Sequence, residues 1–115
     1  ILQMMEQIER IQQLNKLMLE DPNENAYTIL AHTMEELGEF ATAICVEDGS
    51  KVKGYKKLDE SSISEAIDVL ICVISLYNVR GGKNEDISTI LKKKLDKWQN
   101  KMQKQNFEQN NFNER

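Results

Sequence analysis

One proline, one histidine, one tryptophan, two cysteines and five glycines are all that 115 residues hold of those types. With Pro22 alone and so few glycines, long stretches run without a breaker, which favours helices over a turn-rich β fold. One histidine and two cysteines leave no zinc-type ligand spacing. Cys45 and Cys72 both fall in apolar helical runs and read as buried reduced thiols rather than a disulfide. Fifteen Lys and Arg against nineteen Asp and Glu give a net charge of −4. No surplus of positive charge is left to neutralise the phosphates of DNA or RNA, so nucleic acid is not expected as a partner. No apolar stretch reaches the roughly 18 residues that span a bilayer. The N-terminus also lacks the basic-then-apolar pattern of a secretory leader. A cytoplasmic location with no membrane partner is the expectation.

What is present is apolar periodicity. Forty per cent of the residues are apolar, enough for one domain with a modest core. Over about residues 2 to 20, Met4, Ile8, Ile11, Leu14 and Met18 recur at helical steps, and Asp21, Pro22 and Asn23 stop the run. A second helix from about Ala26 to Glu47 carries Leu30, Met34, Leu37, Phe40, Ala41 and Ile44 on one stripe, and Asp48 and Gly49 end it. Residues 48–61 form a loop with Lys51, Lys53, Lys56 and Lys57, read either as a solvated linker or as a basic flap over an anionic ligand. Ser62 and Glu65 read as a capping-box pair opening a third helix, which Gly81 and Gly82 end. A fourth begins near Asn84, with Ile87, Ile90, Leu91, Leu95, Trp98 and Met102 as its stripe and Trp98 expected in the core. Lys94, Lys97 and Lys101 line a neighbouring face. Seven of the thirteen residues from Gln103 onward are Asn or Gln, which suggests fraying or disorder. The pattern predicts an all-α four-helix bundle over residues 1–102 with a tail over 103–115.

Acids in the wrong place carry the functional signal. Glu65 and Asp68 lie three residues apart, on one face of a helix that is otherwise apolar on nearly every side. A helix apolar all round is buried, and a carboxylate in a dry interior costs several kcal/mol, roughly, unless it is compensated. No basic residue lies between Glu60 and Val79 to compensate Asp68 locally. On the second helix Glu35, Glu36 and Glu39 form another acidic cluster, and Glu36 and Glu39 repeat the three-residue step. Two such pairs facing each other would make a cage of oxygens. All the candidate ligands are carboxylates, and the Glu-x-x-His pairs of di-iron bundles are missing. A hard cation, magnesium above all, suits the set, and magnesium implies a phosphate-bearing substrate.

Glu35-Glu36-Leu37-Gly38-Glu39, then 25 residues, then Glu65-Ala66-Ile67-Asp68 resembles the EExxE…ExxD signature of the MazG-like all-α nucleoside triphosphate pyrophosphatases. The resemblance extends over roughly Leu30 to Lys101. It implies hydrolysis of a (deoxy)nucleoside triphosphate to monophosphate and pyrophosphate, as in nucleotide-pool cleaning. By this resemblance Glu36, Glu39, Glu65 and Asp68 would be magnesium ligands, with manganese as a substitute. Glu35 would orient the attacking water or bind a further metal. Lys97 and Lys101 would assist the departing pyrophosphate, and Lys94 and Asn100 would bind phosphate. His32, one turn before the acids, is a candidate substrate contact. The pattern is shared by dimeric dUTPases and phosphoribosyl-ATP pyrophosphatases, which stand as alternative relatives. A different class, a non-catalytic helical oligomer or adaptor with structural acids, is the other alternative. The apolar circumference of the third helix points to a homodimer, or a dimer of dimers.

Overall fold

The computed structural model describes residues 2–49 and 61–113. Four helices occupy most of them: α1 (Leu2–Met18), α2 (Ala26–Glu47), α3 (Ser62–Val79) and α4 (Asn84–Asn113). No strand occurs among the described residues, so the expected all-α class is what the chain adopts. The basic segment with Lys51, Lys53, Lys56 and Lys57 lies outside the described residues. The chain divides into two compact units, Ile1–Gly82 and Lys83–Arg115.

In the first unit, local chemistry sets the helix ends. The Asp21 carboxylate accepts from the Asn23 N–H at 2.9 Å, turning the chain at Pro22. Asn25 then caps α2. Its Oδ1 accepts from the N–H groups of Tyr27 and Thr28 at 2.8 and 3.1 Å, and the Thr28 hydroxyl oxygen accepts from the Asn25 N–H at 2.9 Å. Such a reciprocal cap stabilises a helix start by about 1 kcal/mol.

The start of α3 corrects the expected cap. Ser61 is the N-cap, its hydroxyl accepting from the Ser64 N–H at 3.3 Å. Ser62 is the first helical residue instead. Its N–H donates to Glu47 Oε1 at 2.7 Å and its hydroxyl to Glu47 Oε2 at 2.6 Å. A carboxylate from the end of α2 offers two charged acceptors, and bonds to an ionised acceptor are the stronger kind. These bonds hold the Glu47 carboxyl below its usual range. With the cap one residue earlier, Glu65 loses the capping role that the sequence suggested for it.

α3 packs along α2 and, less extensively, against α1. The residues this buries are unexpected. Ile8, Ile29, Ala43 and Cys72 are joined in the interior by Asn15, Thr33, Glu65 and Ser75. The inward side of α3 is therefore its polar side, while Ile63, Ile67, Leu70, Ile71 and Val73 are exposed. Two neighbours cannot cover a helix that is apolar nearly all round, and here the covered stripe is the one whose polar groups find partners. α3 is also long and apolar enough to cross a membrane by length and composition, which corrects the expectation that no stretch reaches that length. Its polar residues nevertheless meet protein: Ser75 and Asn78 bond to Asn15 of α1, and Glu65 and Asp68 converge with Glu36 of α2. Both cysteines are free thiols, Cys72 buried and Cys45 half-buried.

The second unit is α4, about 45 Å long at 1.5 Å per residue. It continues to Asn113, so the residues after 102 that were expected to fray are helical up to that point. Asn and Gln cost only a few tenths of a kcal/mol, roughly, against Ala, and extending a formed helix is easy compared with starting one. Ile90, Leu91, Leu95, Trp98 and Met102 are exposed along it. The expected core position of Trp98 is thus not a buried one in this chain.

Candidate metal centre

Glu36 projects from the middle of α2 and Glu65 and Asp68 from the first turns of α3. One carboxylate oxygen from each lies within 4.8 Å of the other two. Glu65 is 8% exposed, and Glu36 and Asp68 are half-buried. Two oxygens bound to one magnesium at about 2.1 Å each lie no more than about 4.2 Å apart. Small side-chain rotations would therefore let all three share one cation, with the remaining octahedral positions left for water or phosphate oxygens.

The electrostatics of the cluster also call for a cation. Burial pushes the Glu36 carboxyl above the usual carboxylate range. The charges of Glu39 and Asp68 push the same way, against a lowering by His32. Glu36 Oε2 is buried with no hydrogen-bond partner. A buried acceptor left unpaired costs about 1–3 kcal/mol, more when charged. A divalent cation would satisfy that oxygen and replace the repulsion with attraction. The residues present fit a hard, oxygen-seeking metal, and a donor set of three carboxylates does not favour a soft one.

The sequence candidates divide accordingly. Glu36, Glu65 and Asp68 come together. Glu39 is exposed one turn further along α2, and both its charge and a side-chain hydrogen bond between the two raise the Glu36 carboxyl. Glu35 is also exposed, at 74% of its side chain, and has its Oε2 3.6 Å from Nδ1 of His32. The other ring nitrogen of His32, Nε2, lies 3.5 Å from Glu36 Oε1. The single histidine therefore bridges the exposed and the half-buried acid. Lys94, Lys97, Asn100 and Lys101 are exposed on α4, at helical steps that place them on one side of that helix.

Cys72, read from the sequence as a buried reduced thiol, is a buried free thiol one turn beyond Asp68. Burial raises its thiol pKa, a hydrogen bond with Thr33 lowers it, and the Glu36 and Asp68 charges raise it. It is a packing thiol rather than a nucleophile. One feature was missed by the sequence reading, a polar chain in the interior: Asn15 Nδ2 donates to Ser75 Oγ at 2.9 Å and Asn78 Nδ2 donates to Asn15 Oδ1 at 3.0 Å. The available signal was an asparagine at helical spacing from Ile8, Ile11 and Met18, on the apolar stripe of α1.

The raised Glu36 carboxyl gives a pH prediction. A folded-state pKa above the unfolded value of 4.5 means that the fold holds the proton more tightly than the unfolded chain does. Ionisation then opposes folding, and stability falls as pH rises from about 4.5 through the folded value. In chelator, Glu36→Gln should melt higher than the native protein at pH 7. The difference should vanish below about pH 4.5, where both side chains are neutral. Melting midpoints across that range test this, and coincident curves at pH 7 would contradict it.

No family model, curated protein or solved structure matches the chain.

Proposed function

We propose that the protein is a magnesium-dependent nucleoside triphosphate pyrophosphohydrolase of the MazG-like type, converting a (deoxy)nucleoside triphosphate to monophosphate and pyrophosphate. The observation that carries this is the convergence of Glu36, Glu65 and Asp68 at the buried side of two packed helices. Crowded carboxylates in a half-dry site repel one another, and a cation among them replaces that repulsion with attraction. The sequence pattern around those residues supports the reaction class.

Glu36, Glu65 and Asp68 would hold the metal, with Glu39 moving in as a further ligand. When bound, magnesium (or manganese in its place) supplies positive charge to the phosphate oxygens and makes water more acidic. Water attacks the α-phosphorus, the bond from that phosphorus to the bridging oxygen of the β-phosphate breaks, and pyrophosphate leaves. Glu35 orients the water and takes its proton. His32 contacts the substrate. The working unit is a homodimer or a dimer of dimers, and the substrate pool is cytoplasmic.

A pyrophosphate-release panel across the common ribo- and deoxyribonucleotides tests the proposal. Monophosphate and pyrophosphate should appear in equal amounts, only with magnesium or manganese. Heavy oxygen from labelled water should be found in the monophosphate. Orthophosphate and a nucleoside diphosphate as first products would place the protein in another class of hydrolase.

A non-catalytic helical assembly has one observation in its favour, the exposed apolar side of α3. Magnesium with a non-hydrolysable nucleotide separates the two readings. A ligand at 100 times its Kd raises stability by about 2.7 kcal/mol, whereas a scaffold without the site would not respond.

A further inference from the structure

A groove of about 440 Å³ runs between α1 and α3. That volume falls inside the roughly 300–1,000 Å³ typical of small-molecule sites. Ile8 of α1, only 8% exposed, gives it a floor, and Ile67, Leu70 and Ile74 of α3 are among its aliphatic walls. Gln7 and Arg10, one turn apart on α1, are the only polar residues that line it among the described residues. At about 100° per residue, Ile74 points about 180° away from Glu65 around α3. The groove and the acidic cluster therefore lie on opposite sides of that helix.

Arg10 is held at the edge of this groove in an uncommon way. An arginine over apolar surface ordinarily lays its stem along it and carries the guanidinium out to water. Glu6 stands four residues before Arg10, a spacing at which an acid and a base on one helix pair well. The guanidinium turns to the neutral Gln7 instead, its Nη1 donating to Gln7 Oε1 at 2.8 Å. Among the described residues no carboxylate lies within 4 Å of it. Both partners in this bond line the groove, so the bond keeps a positive charge at its rim. A guanidinium has five N–H donors and this bond uses one. Gln7, which accepts through Oε1, keeps both of its amide N–H groups.

We infer that the groove is a fatty-acid site, with Arg10 and Gln7 holding the carboxylate and the aliphatic walls holding the hydrocarbon chain. One positive charge beside an apolar trough selects one negative charge on an apolar tail. The guanidinium fork matches the two oxygens of a carboxylate, and the Gln7 amide can donate to the same head group. A sugar or a peptide would bring polar groups that a trough with no other polar lining leaves unsatisfied. A cationic amphiphile would be repelled by Arg10. The site is separate from the acidic cluster and needs no nucleotide.

Calorimetry and isoleucine methyl NMR shifts test the site. The whole chain is titrated at pH 7 with sodium dodecanoate kept below its micelle concentration. Dodecanol keeps the tail and loses the charge, dodecyltrimethylammonium reverses the charge, and acetate is the head group alone. Dodecanoate should shift the methyls of Ile8, Ile67 and Ile74 and bind at least tenfold more tightly than dodecanol. The cationic probe should bind more weakly than dodecanol, and acetate should give no shift. Arg10→Gln should lower dodecanoate affinity at least tenfold and leave dodecanol affinity within about twofold, a split that a merely structural arginine would not produce. Ile67→Ser, at an exposed position, should weaken both probes alike while circular dichroism shows the helices intact. Equal binding of dodecanoate and dodecanol, or unchanged dodecanoate binding by folded Arg10→Gln, would overturn the site. Shifts that begin only at micelle formation would overturn it too. The same shifts produced more strongly by phosphatidylglycerol vesicles would replace it with a membrane contact. Groove methyls that respond to protein dilution and ignore dodecanoate would replace it with a contact to a second copy.

Discussion

Asp68→Asn should abolish magnesium-dependent turnover while leaving the helices folded. The substitution preserves the shape of the side chain and removes only its charge. Asp68 is one of three residues whose oxygens come within 4.8 Å of one another, so its loss takes away about a third of the negative charge that would hold the cation. A bound metal contributes several kcal/mol, roughly, of transition-state charge stabilisation. At about 1.4 kcal/mol per factor of ten, the expected loss in kcat/KM is about 1,000-fold. Circular dichroism should show an unchanged helical signal, because removing one of several crowded like charges does not weaken the metal-free fold. Near-native turnover by a folded Asp68→Asn protein would end the metal-centre reading.

Graded losses are expected around that site. Glu36→Gln and Glu65→Gln should match Asp68→Asn, since all three converge. Glu39→Gln should cost less, because Glu39 is exposed and stands outside the three residues that converge. Glu35→Gln should spare metal affinity and lower kcat, as befits a group that faces water and His32.

The helices and the acids were legible in the sequence for different reasons. Pro22 and Gly49 mark the ends of helices through backbone chemistry that acts locally, and the structure has α2 lie between them, with Asn25 as the cap that the sequence reading did not single out. Asp68 was legible because a carboxylate in an apolar run has few stable outcomes. What depends on a distant partner was not. Ser61 and Ser62 are equally competent caps by type, and Glu47, fifteen residues before Ser62, decided between them. Glu36 and Glu39 have the same spacing as Glu65 and Asp68, so periodicity ranks all four alike. Three residues along a helix is a rotation of about 60° from the starting direction, enough to leave Glu39 in solvent when α3 packs beside Glu36. The polar interior was hidden for a related reason. Asn15 looks like an isolated irregularity on α1 until Ser75 and Asn78, sixty and more residues later, are brought against it.

Val73→Glu should convert the protein to monomers. On α3 the polar residues face inward and the apolar ones face out, so the first unit has an apolar outer face that its own three helices do not cover. Leu30, Met34 and Leu37 of α2 continue that face beside Val73, which is 50% exposed. A depression of about 860 Å³ between α2 and α3, lined by Leu30, Val73, Leu76 and Tyr77 among others, gives the face relief that a complementary surface can fill. Fully burying one such aliphatic side chain stabilises by about 1.5–3 kcal/mol. Covering side chains that are already half-buried contributes roughly half as much each, and a two-fold axis counts every residue twice. Several kcal/mol are therefore available against the cost of association. The hypothesis is a homodimer built on this face, with a second pairing making a dimer of dimers in the larger form. Glutamate at position 73 would bury two like charges, one from each copy, and taking charges out of water is costly. The dissociation constant should rise at least 100-fold, which corresponds to about 2.7 kcal/mol. Sedimentation at low micromolar concentration should show the native chain with no monomer and Val73→Glu as monomer. Val73→Ala should remain assembled, since it trims the contact without adding charge. A native chain that sediments and turns over substrate at the 13.3 kDa monomer mass would refute the shared face.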